Sequence, residues 1–371
     1  MNILLTMKLS DRTLEFLIHS LTKASRVNKI FIIRDKQGPN LPKVEYICPP
    51  KYVVNCSPLS FLYKLISIIM CSFKHNISYI HSYLLFPHGF LAFICAKMLR
   101  KPVGVSLIAG PQEIFELGSS PNKFSYTRPL PPLNQLSKFI IYILNKFSVV
   151  TVTGSFTKDF LISNGVKTKI YTLSHFVNPE LFDSNFINHN CEKVYDLIYI
   201  GRLVQNKNLD SLIDVVNELS RSINNLKFVI VGDGANLKTI QDKVSRLNLD
   251  SNIIFTGYQS EVWRFLNKSK IFIFASEREG FPLVVVEALS CGVPVVSSKC
   301  GDVVDLIVDG YNGYIVSDHN DHLAYSKLIQ NILSDEQLYN RLVCNALETV
   351  SHFSIEKLSA VWNTILTDLA L

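Results

Sequence analysis

The chain has 371 residues, is 48% hydrophobic and carries a formal net charge of +6. That length is comfortable for two domains, each with its own core. Its eight cysteines are scattered with no C-x-x-C pair, which argues against a disulfide framework or a thiolate zinc site and for reduced, buried thiols.

The chain opens on a β-rich run, Asn2–Thr6, too short for the apolar core of a secretory signal, so no leader is expected. Helical and β-rich stretches then alternate. Strands are predicted at Asn2–Thr6, Lys29–Ile33, Ser78–His81, Val103–Leu107, Ser148–Thr153 and Lys169–Leu173. Helices are predicted at Asp11–Lys23, Pro58–Lys74, Pro87–Leu99, Leu133–Lys146 and Phe156–Asn164. Such alternation implies a mostly parallel sheet covered on both faces. The segment Gly118–Pro132 reads as a long loop, a length that is often functional.

An Asn-rich break at His175–Tyr195 precedes a second alternation. Strands are predicted at Asp196–Gly201, Lys227–Gly232, Asn252–Thr256, Ile271–Ala275, Pro294–Ser297 and Gly313–Val316. Helices are predicted at Leu209–Ser220, Leu237–Leu247, Glu261–Asn267, Leu283–Ser290 and Val303–Val308, with a helical tail from Asp321. The expectation is an α/β chain of two Rossmann-like, doubly wound domains, 1–178 and 179–371, with a ligand cleft between the carboxyl ends of their sheets. The final helix is expected to pack back on the first domain.

Charge divides the same way. Residues 1–178 hold 21 Lys and Arg against 7 Asp and Glu, a balance of +14, and the remainder stands at −8. A basic half rich in Phe, Tyr, Ile and Leu points to an anionic partner. With no zinc-finger or RNA-binding signature, an anionic membrane surface is expected and nucleic acid is not. Neither Leu59–Phe73, broken by Lys64, nor Tyr83–Met98, broken by Pro87, His88 and Lys97, reaches the roughly 20 apolar residues of a spanning helix. The apolar stripes of Leu59–Lys74 and Leu133–Lys146 are expected to be core, with contact to a membrane as the alternative.

The stretch Glu279-Gly280-Phe281-Pro282, followed eight residues later by Glu287, concentrates the chemistry. Glu279 sits on a loop at a helix start, and a spacing of eight returns Glu287 to nearly the same face. Carboxylates accept paired hydrogen bonds from vicinal hydroxyls, as on a sugar or a ribose. Backbone N–H groups at the helix start suit an anion. Together these features describe a site for a sugar diphosphate.

Four motifs give the second half a resemblance to glycosyltransferase family 4, retaining enzymes of the two-Rossmann GT-B architecture. They are Gly201-Arg202-Leu203 with Lys207-Asn208, the turn Val231-Gly232-Asp233-Gly234, Glu279-Gly280-Phe281-Pro282 through Glu287, and Cys291-Gly292-Val293-Pro294-Val295-Val296. The resemblance runs from about Tyr195 to His322. It implies a nucleotide-diphosphate sugar as donor, gripped by Gly201, Arg202, Lys207, Gly232, Gly234, Glu279, Gly280, Phe281, Pro282, Leu283 and Glu287. By the same resemblance Arg202 and Lys207 take the diphosphate, Glu279 the sugar and Glu287 the ribose, so Arg202, Lys207 and Glu279 are the candidate catalytic residues. The chain has no D-x-D, so side-chain cations are expected in place of a metal, and no cofactor is expected.

The first half resembles the family less closely. Ser78–Ser82, Phe86–Ala92 and Lys101-Pro102-Val103 fit its pattern, but the Gly-Gly loop after the first strand and the His after the K-P-V strand are missing. Acceptor-side candidates are therefore His81, His88, Gly110 and Glu113. The function expected is transfer of a sugar to a lipid-linked oligosaccharide at the inner face of the cytoplasmic membrane, as in bacterial surface-polysaccharide assembly. Alternatives are a sugar-nucleotide hydrolase or epimerase on the same fold, an inactive sugar-nucleotide-binding protein, and a dinucleotide-dependent oxidoreductase. Against the last, Leu237 stands where a third glycine is required.

Overall fold

The computed structural model describes residues 1–55, 57–116, 132–174 and 192–370. The predicted long loop (apart from Pro132) and most of the predicted break at 175–195 lie outside the described residues. The chain forms two compact units, one of Met1–Phe176 with Phe353–Leu371, the other of Val177–His352.

Unit 1 runs β1 (Asn2–Thr6), α1 (Asp11–Lys23), β2 (Lys29–Ile33), β3 (Val44–Ile47), α2 (Lys51–Val54), α3 (Ser57–Lys74), β4 (Ile77–Tyr83), α4 (Phe90–Met98), β5 (Val103–Leu107), α5 (Gln112–Glu116), α6 (Gln135–Leu144), β6 (Val149–Val152), α7 (Ser155–Ser163) and β7 (Ile170–Thr172). Its sheet is parallel with order β3-β2-β1-β4-β5-β6-β7. The order reverses between β1 and β4, which makes a topological switch point there.

Unit 2 runs β8 (Tyr195–Ile200), α8 (Leu209–Leu219), β9 (Phe228–Val231), α9 (Leu237–Arg246), β10 (Ile253–Phe255), α10 (Trp263–Leu266), β11 (Ser269–Phe274), α11 (Leu283–Ser290), β12 (Val295–Ser298), β13 (Gly313–Val316), α12 (His322–Ser334) and α13 (Glu336–Val350). Its parallel sheet has the order β10-β9-β8-β11-β12-β13, with the switch point between β8 and β11. The last helix, α14 (Ile355–Asp368), belongs to unit 1.

Local chemistry explains the elements. The side chain of Ser10 accepts from the Thr13 N–H at 3.1 Å and starts α1, and Asn134 does the same for Ser137 at 2.8 Å to start α6. Ile30–Ile33 of β2, Phe228–Val231 of β9 and Ile271–Phe274 of β11 are unbroken, buried apolar runs because a parallel sheet is covered on both faces. In unit 1 one core layer joins the sheet to α3, α4 and α6 through Ile68, Cys71, Leu91, Cys95, Ile140 and Leu144. On the opposite face Leu14, Leu17 and Ile18 of α1 meet Trp362, Ile365 and Leu366 of α14. The Asn363 side chain accepts from the Ser25 N–H at 3.0 Å and so fixes α14 to the end of α1.

Three differences from the predicted elements stand out. The edge strand β3 is only four residues, Val44-Glu45-Tyr46-Ile47, and its half-exposed pattern carries little period-2 signal. The helix predicted at Pro87–Leu99 starts only at Phe90. Ahead of it Leu85–Gly89 forms an irregular turn, with Phe86 extended (φ −126°, ψ 138°) as a residue before proline must often be. The helix predicted at Val303–Val308 is instead a tight turn, Gly301–Asp305, entered through Gly301 at φ +50°. Among the described residues no helix is long and apolar enough to cross a membrane.

Candidate functional site

In unit 2 the loops that follow β8, β9 and β11 converge on the carboxyl ends of the strands. Beyond β8 the chain turns through Gly201 and Arg202, makes a short turn at Gln205–Lys207, and enters α8 from Asn208 in the left-handed region (φ 50°). Two backbone bonds hold this loop against the next one: the Leu203 N–H donates to the Asp233 carbonyl at 2.9 Å and the Asn236 N–H to the Leu203 carbonyl at 2.9 Å. The Glu277 N–H donates to the Asn206 carbonyl at 3.0 Å and ties in the loop after β11.

The glycines make that convergence possible. A Cβ on Gly232 (φ +143°) would lie 1.9 Å from the Gly201 carbonyl oxygen, and one on Gly234 would lie 2.4 Å from that of Leu203. Both positions therefore have a packing reason to be glycine, whatever else they contact.

Lys207, from the β8 loop, reaches Glu279, from the β11 loop, and the two form an ion pair at the switch point. Both side chains are largely covered, at 15% and 14% exposed, and the Lys207 ammonium lies 5.5 Å from the centre of the Phe274 ring. A pair this sheltered keeps its strength in salt better than a surface pair. The Arg202 backbone is held by a hydrogen bond from the Tyr199 hydroxyl to its carbonyl at 3.1 Å, while the Arg202 side chain is exposed. Burial, followed by the neighbouring Glu279, raises the Tyr199 phenol well above its ordinary value, so it stays a neutral donor.

After Glu279, Gly280 and the buried Phe281 and Pro282 lead into α11, whose first residue is Leu283. Glu287 lies in the fifth position of that helix, 2% exposed. The loop is braced from below: the Asp302 N–H donates to the Gly280 carbonyl at 2.9 Å and the Ser298 hydroxyl to the Ser276 carbonyl at 2.6 Å. A Cβ on Gly301 would stand 2.1 Å from the Glu279 carbonyl oxygen. Gly301→Ala is therefore expected to push the Glu279–Gly280 loop out of place and lower turnover by about tenfold, at a stability cost of about 1–3 kcal/mol. Steady-state kinetics beside a thermal melt measure both, and wild-type values in each would show that the loop does not need this brace. The sequence motifs did not include Gly301.

The predicted donor residues Gly201, Arg202, Lys207, Gly232, Gly234, Glu279, Gly280, Phe281, Pro282, Leu283 and Glu287 all lie on loops at, or on the helix just beyond, the carboxyl ends of β8, β9 and β11. Such a position is where open α/β sheets bind ligands. One cation and one carboxylate meet at a helix start rich in backbone donors, an arrangement suited to a phosphorylated, hydroxyl-rich molecule.

The candidates in unit 1 fare unevenly. His81 is fully buried: Tyr79 Oη lies 2.7 Å from its Nδ1 and Ser106 Oγ lies 2.7 Å from its Nε2. Its ring meets Trp362 edge-on at 5.4 Å, and burial pushes its pKa down to about 3. His88 is 1% exposed, with Thr6 Oγ1 at 2.9 Å from Nδ1, and burial with the charge of Lys64 pushes its pKa down to about 4. Both were acceptor-side candidates; the structure shows them as buried, neutral histidines held by hydroxyls.

Glu113 and Gly110 do lie at the carboxyl ends of central strands. The Glu113 oxygens accept from the Ala109 and Leu85 N–H groups, each at 2.8 Å, so the carboxylate links the loops after β5 and β4. Gly110 takes φ +79° and Leu84, at the other loop, an unusual φ of +74° for a leucine. Burial outweighs the backbone donors and raises Glu113 to about 7. A carboxyl raised above its unfolded value favours folding fully below about pH 4.5 and loses that contribution as pH climbs through about 7. Glu113→Gln is therefore expected to gain stability relative to the parent as pH rises from 4.5 to 7.5, read from paired thermal melts. A constant difference over that range would refute the raised value.

Residues 182–349 match the family model described as "Glycosyl transferases group 1". Among curated proteins the chain is similar to the N-acetyl-alpha-D-glucosaminyl L-malate synthase of Bacillus anthracis, 25% identical over 80% of this chain and 76% of that protein. It is 30% identical to the uncharacterized glycosyltransferase MJ1059 of Methanocaldococcus jannaschii, over 62% of this chain and 72% of that one. It is 31% identical to a Campylobacter jejuni GalNAc-alpha-(1->4)-GalNAc-alpha-(1->3)-diNAcBac-PP-undecaprenol alpha-1,4-N-acetyl-D-galactosaminyltransferase, over 52% of each chain. Among solved structures, Anabaena Alr3699/HepE in complex with UDP has the same fold, with a TM-score of 0.76 at 18% identity over 99% of this chain and 100% of that one. With two Rossmann-like units, a Lys–Glu pair at the switch point of the second, and these likenesses, the chain belongs to the group 1 glycosyl transferases and is a glycosyltransferase of GT-B type.

Proposed function

We propose that the chain moves a sugar from a nucleoside-diphosphate donor to a hydroxyl of a lipid-linked oligosaccharide, with retention of anomeric configuration, in the assembly of a bacterial surface polysaccharide such as an O-antigen or capsule. The observation that carries the donor half is the meeting of Lys207 and Glu279 at the switch point of unit 2. When donor binds, Lys207 exchanges its carboxylate partner for the diphosphate and Glu279 is released to the sugar hydroxyls. Glu287 holds the ribose.

In the reaction the acceptor oxygen forms a bond to the anomeric carbon as the bond from that carbon to the diphosphate oxygen breaks. The acceptor proton passes to the departing phosphate. Negative charge grows on that leaving group, and in this reading Arg202 and Lys207 stabilise it in place of a metal or other cofactor. The acceptor half is supported by the +14 balance of residues 1–178 and by the named substrate of the Campylobacter relative. On this reading the enzyme works at the inner face of the cytoplasmic membrane.

The test is transfer from a panel of nucleotide sugars to a synthetic prenyl-diphosphate-linked sugar, with the anomeric configuration of the product read by NMR. Retention supports the proposal. An inverted product, or free sugar released at the same rate with and without acceptor, contradicts it.

A further inference from the structure

The outer side of one helical layer in unit 1 carries the wrong polarity for contact with water. α3 buries Ile68 and Cys71 against the sheet, yet Leu59, Leu62, Ile66, Met70 and Phe73 are exposed, the last two at 66% and 74%. Their spacing of three, four, four and three places them on a single stripe. The expectation that the whole stripe is core is corrected: α3 has an apolar face on each side. α4 and α6 share its core layer and likewise expose Ile94 and Met98, and Phe139 and Tyr142. A surface helix of a water-soluble protein keeps its outer face polar.

Charge on this layer has one sign. Between Glu45 and Asp159 the sequence has eleven Lys and Arg and only two acidic residues, Glu113 and Glu116. Neither is on α3, α4 or α6, and the Glu113 carboxylate is taken up by backbone donors. Lys64 turns inward to Asp35 at 2.6 Å, but Lys74, Lys97, Lys138 and Lys146 are exposed on or just beyond the three helices. Lys97 and Lys146 lie over the rings of Phe93 and Tyr142, at 5.4 and 4.9 Å, with their stems along apolar surface.

We propose that the outer face of α3, α4 and α6 docks unit 1 on an anionic lipid bilayer, with α3 lying along the interface. A bilayer offers both complements at once, acyl chains to the apolar stripe and anionic headgroups to the lysines. A second copy of this chain fits poorly, because pairing like faces brings cation against cation. The inference rests on the lipid-linked acceptor of the proposed function for its purpose, but its geometry belongs to unit 1 alone.

The experiment is flotation of the full chain with vesicles of equal phosphatidylglycerol and phosphatidylcholine, and with phosphatidylcholine alone, at low and high salt. The parent is expected to float with the anionic vesicles at low salt and to detach as salt rises. The triple variant Leu62→Ser/Met70→Ser/Phe73→Ser is expected to lose at least about tenfold in partitioning. Its melting temperature and its sugar transfer to a detergent-dispersed prenyl-diphosphate-linked sugar without vesicles are expected to match the parent. That vesicle-free rate separates the two ideas, since failure of the transferase reading removes it in both proteins while failure of the docking face leaves it intact. Flotation of the variant equal to the parent, no flotation of the parent, or a parent dimer that the variant dissolves would overturn the proposal.

Discussion

Lys207→Ala is expected to lower donor turnover by about 10²–10³-fold at saturating donor, the usual effect of removing one preorganised donor from a developing negative charge. The side chain's setting supports the proposed role. It comes from the loop after β8 and crosses the switch point to Glu279, sheltered by the ring of Phe274. Its loss also leaves the Glu279 carboxylate in a covered site without its cation, which costs stability as well as rate. Melts of Lys207→Ala and of Lys207→Met, which keeps most of the stem, separate the two contributions. Because Lys207 and Glu279 are partners, the double variant Lys207→Ala/Glu279→Ala is expected to lose less than the product of the single losses. Turnover within a factor of two of the parent in Lys207→Ala would mean that the ammonium does not act on the leaving group.

Trp362→Ala is expected to destabilise unit 1 by about 3–5 kcal/mol, the range for removing a large aromatic from a packed core. Trp362 is 1% exposed and lies among Leu17, Ile18 and Leu21 of α1 and the ring of His81. Its removal opens a void beside a histidine that burial already holds neutral. With that wall gone, water reaches the Tyr79–His81–Ser106 chain, so the histidine is expected to regain part of its basicity. Two units need not unfold together, so the reading is the earlier of two transitions in a calorimetric scan, with donor binding as an independent report on unit 2. A scan identical to the parent would show that α14 lends no stability to unit 1.

How much of this was legible in the sequence depended on the element. Buried parallel strands announced themselves, since Lys29–Ile33 and Val103–Leu107 are short, mostly apolar runs, and both have the predicted bounds. Helices α1 and α11 also have the predicted bounds, α1 marked by the Ser10 cap and α11 by Pro282 before it. β3 was missed because an edge strand of four residues with Glu45 outward carries little pattern. In unit 2 the motifs named Lys207 and Glu279 separately but could not show that they pair with each other, since 72 residues separate them. Gly301 was missed for the same reason: the need for a glycine comes from the Glu279 carbonyl, which only the tertiary structure brings near.

The histidines in unit 1 show the opposite limit. His81 and His88 stand in the motif-bearing stretch, and nothing local distinguishes a ligand-facing ring from one held by core hydroxyls. The stripe on α3 was legible as a period but not as a side. Helical spacing identifies an apolar face, and only the packing of Ile68 and Cys71 reveals that a second one is left outside.

Crystals soaked with a nucleoside diphosphate sugar test the central claim most directly. The expected result is density for the diphosphate within hydrogen-bonding distance of Arg202 and Lys207, with the Lys207–Glu279 pair parted and Glu279 turned to the sugar hydroxyls. Nucleotide bound elsewhere, with that ion pair intact, would contradict it.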